Sequence, residues 1–125
     1  GEGVMGIADI AYWGDDVPGM KILTEFHKKH HPNDTHYSAY MRGWLWTLLA
    51  VEAIKRAGND LTGDAVKKAL ESLRDFDTWG LTPPFTYTAD DHRPTTRAKL
   101  YLIKGGKLVP VREVSVDRDM AWIGK

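Results

Sequence analysis

The sequence contains no cysteine. A disulfide framework, a Cys-ligated zinc site and a thiol nucleophile are therefore excluded. The compartment stays open, because many exported proteins carry no disulfides. Net charge is also lacking, since 17 Lys and Arg balance 17 Asp and Glu. Nucleic-acid-binding domains and membrane-surface helices carry a basic excess on one face. No basic run of that kind occurs, so no nucleic-acid partner is expected. No run of about 18 apolar residues is present to form a transmembrane helix, and no secretory leader pattern is visible. The chain opens Gly1-Glu2-Gly3 without an initiator Met, which reads as a mature form or as a piece of a longer protein. It has no Gly-rich phosphate loop, no nucleophile elbow and no paired-carboxylate motif.

What is present suits a folded domain. The chain has 125 residues, 42% hydrophobic and 27% charged, which is ordinary for one globular unit. Val4, Met5, Ile7, Ala8, Ile10 and Ala11 read as a buried strand running into a Tyr12-Trp13-Gly14-Asp15-Asp16 loop. Asp16 is the expected N-cap of a first helix, with Pro18 in its first turn and Ile22, Leu23 and Phe26 on its apolar face. Pro32 ends that helix. A long helix is expected from about His36 to Ala57, apolar around much of its girth, with Gly58 as its stop. Thr62 caps a third helix carrying Ala65, Val66, Ala69, Leu70 and Leu73.

Past Arg74 the helical period stops. Phe85-Thr86-Tyr87-Thr88 reads as a short strand, and Leu100–Ile103 and Leu108–Val111 flank Lys104-Gly105-Gly106-Lys107 as a hairpin. Pro110 marks its second strand as an edge. The fold class expected is α/β: a strand, three helices and a C-terminal β-hairpin. One strand ahead of the helices makes no sheet alone. Parallel neighbours are expected from sequence outside this chain, and cover for the exposed sheet edges from missing chain or a second copy, as a dimer or a swapped assembly.

Among chemical groups, His27 and His31 lie four apart on one helix face with His36 nearby, a spacing that suits imidazole ligation of a metal. No Glu completes a zinc-hydrolase pattern, and a solvated basic helix end favoured by the helix dipole accounts for the same residues. Asp90, Asp91 and His92 offer acid–base or metal chemistry, or form an ordinary polar turn. We therefore assign no catalytic residue, no metal and no cofactor. The aromatics are the better ligand candidates. Tyr12 and Trp13 sit at the end of the first strand, where α/β sheets open onto clefts. Tyr40 and Trp44 share one face near the start of the long helix. Together the four offer apolar walls with hydroxyl and indole donors, core packing being the alternative role. Arg42 is suited either to a ligand carboxylate or to a surface ion pair.

The order of several short stretches resembles the C-terminal part of the periplasmic substrate-binding proteins of ABC importers, most of all the branched-chain amino acid (Leu/Ile/Val) group. These stretches are Gly3-Val4-Met5-Gly6, Phe26-His27-Lys28-Lys29, Val51-Glu52-Ala53-Ile54-Lys55-Arg56-Ala57-Gly58, Val66-Lys67-Lys68-Ala69-Leu70-Glu71, Pro84-Phe85-Thr86-Tyr87, Asp91-His92-Arg93 and Tyr101-Leu102-Ile103-Lys104-Gly105-Gly106-Lys107. The resemblance implies a type I periplasmic binding fold, in which two lobes close on a solute and membrane permease subunits read the closure. Residues 1–88 would belong mostly to one lobe, and 89–125 would return as the hairpin to the other. It implies a non-enzymatic, periplasmic or lipid-anchored extracytoplasmic protein. Its cleft aromatic falls at Trp44, with Tyr40 one turn earlier, and the Tyr12-Trp13 loop lies near the cleft. Where that group often has Gly-Tyr-Asp, this chain has Gly43-Trp44-Leu45. The bulkier indole counts against unmodified Leu, Ile or Val. The Asp-His-Arg turn and Pro83-Pro84-Phe85 resemble members that take up aromatic acids or other non-amino-acid compounds, so the expected solute is a small amino acid or an aromatic-acid-like compound. A sensing receptor domain of the same fold is the first alternative. A small hydrolytic or metal-dependent enzyme using the His or Asp clusters is the second.

Overall fold

A computed structural model describes residues 1–116. The last part of the expected 89–125 segment lies outside the described residues. The elements in order are β1 (Met5–Ala8), α1 (Pro18–His30), α2 (Ser38–Ala57), α3 (Gly63–Glu71), β2 (Arg97–Lys104) and β3 (Lys107–Ser115). The three strands form one antiparallel sheet in the order β1-β2-β3. The expected succession of a strand, three helices and a hairpin is thus present.

The first strand differs from expectation in two ways. It is paired within the chain, with Met5 opposite Leu102 and Ala8 opposite Lys99 on β2, so no parallel neighbour is needed for its ladder on that side. It is also not buried: Val4, Met5 and Ile7 are all more than half exposed. The apolar run does enter the core, but only past the strand, where Ile10 and Ala11 are enclosed. The run of apolar residues marks the strand correctly but cannot say what layer covers it.

The hairpin closes through Gly105 and Gly106 at φ of 59° and 72°, the positive angles a two-residue primed turn demands. Opposite Leu100 stands Arg112, and opposite Tyr101 stands Pro110. Val111 is therefore the extra residue of a bulge, and the residue lacking an N–H sits on the outer strand beside it.

Pro18 begins α1, where a missing N–H costs nothing. The N-cap is Val17, without a side-chain hydrogen bond. Asp16 does not cap the helix but pairs with Lys21 at 2.8 Å. The buried stripe of α1 is Gly19, Met20, Leu23 and His27, while Ile22 and Phe26 stay outside. Helix α2 starts at Ser38, because Tyr37 is extended at ψ 146°, and it buries Met41, Leu45, Leu49 and Ala53. Thr62 caps α3 by accepting from the Ala65 amide. The expected strand at 85–88 is a single bridge between Phe76 and Phe85. Its neighbours are instead spent on loop contacts, such as the Thr86 hydroxyl accepting from the Asp75 amide.

One core joins these pieces. Ile10, Ala11, Met20, Leu23, Met41, Leu45, Leu49, Leu73, Leu81 and Phe85 form a continuous cluster. It belongs to the helices and the loops around them, not to the sheet. The sheet is attached mainly through Tyr101, the one buried residue of β2. Among the described residues no helix is long and apolar enough to cross a membrane.

Candidate functional site

Between sheet and helical body lies a groove of about 810 Å³. One wall is the loop after β1, with Tyr12, Trp13, Asp15 and Asp16. The second is the approach to α2, with His36, Ser38 and Met41. The third is the start of β3, with Lys107, Leu108, Val109 and Pro110. The loop is fixed from beneath. The Tyr12 amide donates to Asp15 Oδ2 at 3.0 Å, and the Tyr101 hydroxyl donates to the same oxygen at 2.5 Å. Tyr12 meets the Tyr101 ring edge-on at 4.8 Å. Burial first, and then the bond to Asp15, pushes the Tyr101 phenol well above its ordinary range.

Trp13 is held by rings. Its indole stacks on His36 at 4.1 Å and 9°, meets His27 edge-on at 5.3 Å and touches Tyr40 at 6.1 Å. Its Nε1 donates to the Tyr37 carbonyl at 3.2 Å. His27, expected at a solvated helix end, is 2% exposed. It faces inward because it continues the Met20–Leu23 stripe one turn further along α1.

Tyr40 and Trp44 lie together, but mainly toward a different cavity of about 520 Å³ that also includes Phe26, Leu48, Val51 and Trp79. The Trp44 ring packs against Phe26 at 5.1 Å, and among the described residues its Nε1 has no hydrogen-bond partner. The four candidate aromatics thus divide: Tyr12 and Trp13 line the groove, Trp44 lines the second cavity, and Tyr40 reaches Trp13 while lining that cavity too. A third hollow of about 650 Å³, walled by Trp46, Ile54, Leu61 and Tyr87, lies between α2 and α3. At its rim Glu71 accepts from His92 at 2.8 Å and Lys67 at 3.0 Å. The His92 bond, then Lys67, holds the Glu71 carboxyl below its usual range.

The other polar candidates are accounted for by neighbours. The histidine rings approach one another, His27 to His36 at 4.8 Å and His27 to His31 at 6.0 Å. Among the described residues no three His, Cys, Asp or Glu side chains are arranged to hold a metal ion. Asp91 is buried and accepts from the Arg93 amide and guanidinium. Arg42 grips Asp9 in bidentate fashion at 2.7 and 2.8 Å, tying the end of the first strand to α2. This ion pair is the second of the two roles open to Arg42.

The Arg42 hydrogen bond holds the Asp9 carboxyl below its ordinary value of 3.8. A group whose folded pKa is depressed stabilises the fold fully above its unfolded pKa, and the contribution disappears as pH falls through the folded value. Both side chains are substantially exposed, so the pair is worth about 0.5–1 kcal/mol. Urea unfolding should find Arg42→Ala less stable by that amount at pH 7, with the difference shrinking toward zero below about pH 4. A constant difference across that range would contradict this assignment.

Asp15, Tyr101 and Lys107 are not singled out by the sequence, and His36 stands out there only beside His27 and His31 as a possible metal ligand, not as a partner of Trp13. Asp15 and His36 sit in loops, where no periodicity points to a face, and Lys107 opens β3 directly after the turn. Tyr101 reads as one more apolar strand residue, and its only signal is a hydroxyl within Leu100–Ile103.

The sequence profile of the family described as periplasmic binding protein matches residues 1–107. Among solved structures, a branched-chain amino acid ABC transporter protein from Thermus thermophilus with bound valine is similar over 98% of this chain, at 21% identity and a TM-score of 0.75. A fatty acid ABC transporter substrate-binding protein from Thermomonospora curvata is similar over 94%, at 25% identity and a TM-score of 0.73. An ABC transporter substrate-binding protein from Aeropyrum pernix is similar over 94%, at 22% identity and a TM-score of 0.75. The chain spans only 36%, 31% and 33% of those three proteins. No curated protein matches it. These likenesses give the fold as part of the type I periplasmic binding architecture, and the profile match decides the family. The chain belongs to the periplasmic binding protein family.

Proposed function

We propose that the chain is part of the extracytoplasmic solute-binding component of an ABC importer, a protein that binds without catalysing and passes its solute to membrane permease subunits. Residues 1–88 contribute mostly to one lobe and the hairpin segment returns to the other, with β1 joining the hairpin sheet as the crossing strand. The solute site is the groove between the hairpin and the helical body. The observation that carries this reading is the composition of that groove. Tyr12, Trp13, Met41 and Leu108 supply apolar walls. Lys107 lines it too, and no ion pair engages that ammonium among the described residues. Asp15 and Asp16 line it as well, but they are engaged by Tyr101 and Lys21.

An unpaired ammonium beside aromatic walls suits a small carboxylate with an apolar or aromatic body. Amino acids and aromatic acids share that chemistry, and Tyr40 and Trp44 extend the apolar surface behind Trp13. Closure of the lobes then shifts the population toward the form the permease reads.

Calorimetric titration of the protein expressed from its complete gene tests the proposal. The panel is L-leucine, L-phenylalanine, 4-hydroxybenzoate and palmitate, the last because one similar protein is described as a fatty acid transporter component. One carboxylate class should bind at one equivalent and be recovered unchanged. Absence of binding across the panel, or chemical conversion of the bound compound, would count against it.

A further inference from the structure

We infer that His36 is a positioning residue for Trp13: its imidazole, stacked on the indole, fixes that ring in one orientation in the groove wall. The inference rests on the groove being the solute site.

The clamp is assembled from three places in the chain. His36 comes from the segment between α1 and α2 and covers one face of the indole at 4.1 Å, nearly parallel at 9°. His27 comes from α1 and abuts the indole at 5.3 Å, tilted 70°. Tyr40 comes from α2 and meets both Trp13 and His27, at 6.1 and 4.9 Å. The indole Nε1 is tied to the Tyr37 carbonyl, one residue beyond His36. Rotation of Trp13 about either side-chain torsion would break the stack and the hydrogen bond together. His27 supplies a fixed base, since it is enclosed among the core side chains. His36 itself is exposed and lines the groove.

A ring held before the solute arrives spares the ordering cost that a mobile side chain incurs on binding. A stacked aromatic partner contributes orientation beyond the area it covers. Removal of the exposed His36 ring leaves the buried core intact, whereas truncation of His27 would open it. His36 is therefore the position at which the clamp can be tested without unfolding the protein.

The test uses 5-fluorotryptophan-labelled protein and fluorine NMR, with the Trp13 resonance assigned by its loss in Trp13→Phe. In the unsubstituted protein Trp13 should give one line. In His36→Ala that line should split or broaden at least twofold, while the other tryptophans keep theirs. His36→Phe, which restores a flat ring, should return a single line. An unchanged Trp13 line in His36→Ala, or a split line in His36→Phe, would overturn the inference. The second arm measures affinity for whichever panel carboxylate the protein binds. His36→Ala should weaken it about tenfold and His36→Phe less than twofold, and an unweakened His36→Ala would overturn the positioning role. If Trp13→Ala alone leaves affinity unchanged, the groove reading fails, and the NMR arm still decides whether His36 fixes the ring.

Discussion

Tyr101→Ala should destabilise the protein by about 3–5 kcal/mol, the range for deleting a large buried aromatic. The side chain is 1% exposed and performs two tasks. Its ring packs edge-on against Tyr12 at 4.8 Å. Its hydroxyl bonds Asp15, whose carboxylate also caps the Tyr12 amide. Because the main core lies among helices and loops, this residue is the principal fastener of the sheet to the rest. Tyr101→Phe separates the tasks. It keeps the ring and removes one of the two donors to Asp15 Oδ2, leaving the Tyr12 amide as the other, at a cost of about 1.5 kcal/mol for a charge-assisted bond. Urea denaturation of both variants measures the two costs. A loss below about 1 kcal/mol for Tyr101→Ala would show that the sheet is held by something else.

The second large effect is a reversal of sign between two glycines in helices. Alanine normally exceeds glycine in a helix by about 1 kcal/mol. Gly43 in α2 should follow that rule, because a Cβ there meets nothing within 4 Å. Gly19 in α1 should not. A Cβ at that position would stand 2.7 Å from Leu81 Cγ and 3.0 Å from the Thr78 carbonyl oxygen. Leu81 is fully buried, and its backbone is tied to Ala11 and Thr78. The Gly19 amide itself donates to the Trp79 carbonyl at 2.8 Å. Neither neighbour has room to retreat, because the Thr78 and Thr82 hydroxyls are bonded to each other and to the same loop. Gly19→Ala should therefore cost about 1–3 kcal/mol by overpacking, against a gain of about 0.5–1 kcal/mol for Gly43→Ala. Thermal and urea unfolding of the pair provide the comparison. A stabilising Gly19→Ala would mean that α1 and the 78–82 loop can separate freely.

The helices and the hairpin were legible in the sequence because their signals are local. Pro18, Gly58, Thr62 and Gly105-Gly106 each act through their own backbone or a neighbour within one turn. The burial of β1 was not legible, since an apolar run looks the same whether or not a layer covers it. The inward turn of His27 was visible in principle, one turn past Met20 and Leu23, but a cluster of basic residues around it suggested a wet surface. The grouping of the site was only half legible. Adjacent residues such as Tyr12 and Trp13 necessarily share a loop, and Tyr40 and Trp44 a helix face. Which cavity each pair meets depends on how far α2 lies from the hairpin. Asp15, His36 and the hairpin residues Tyr101 and Lys107 converge from three separate stretches, and no periodicity links such positions.

The proposed solute site is the groove between the hairpin and the helical body, with Trp13 in its wall. The most direct measurement is the ratio of dissociation constants for the bound panel carboxylate between Trp13→Ala and the unsubstituted protein, determined by calorimetry at one pH and salt concentration. A ratio of tenfold or more, equivalent to about 1.4 kcal/mol, is the expected result. A ratio near one, with the variant shown to be folded, would place the solute elsewhere and contradict the account.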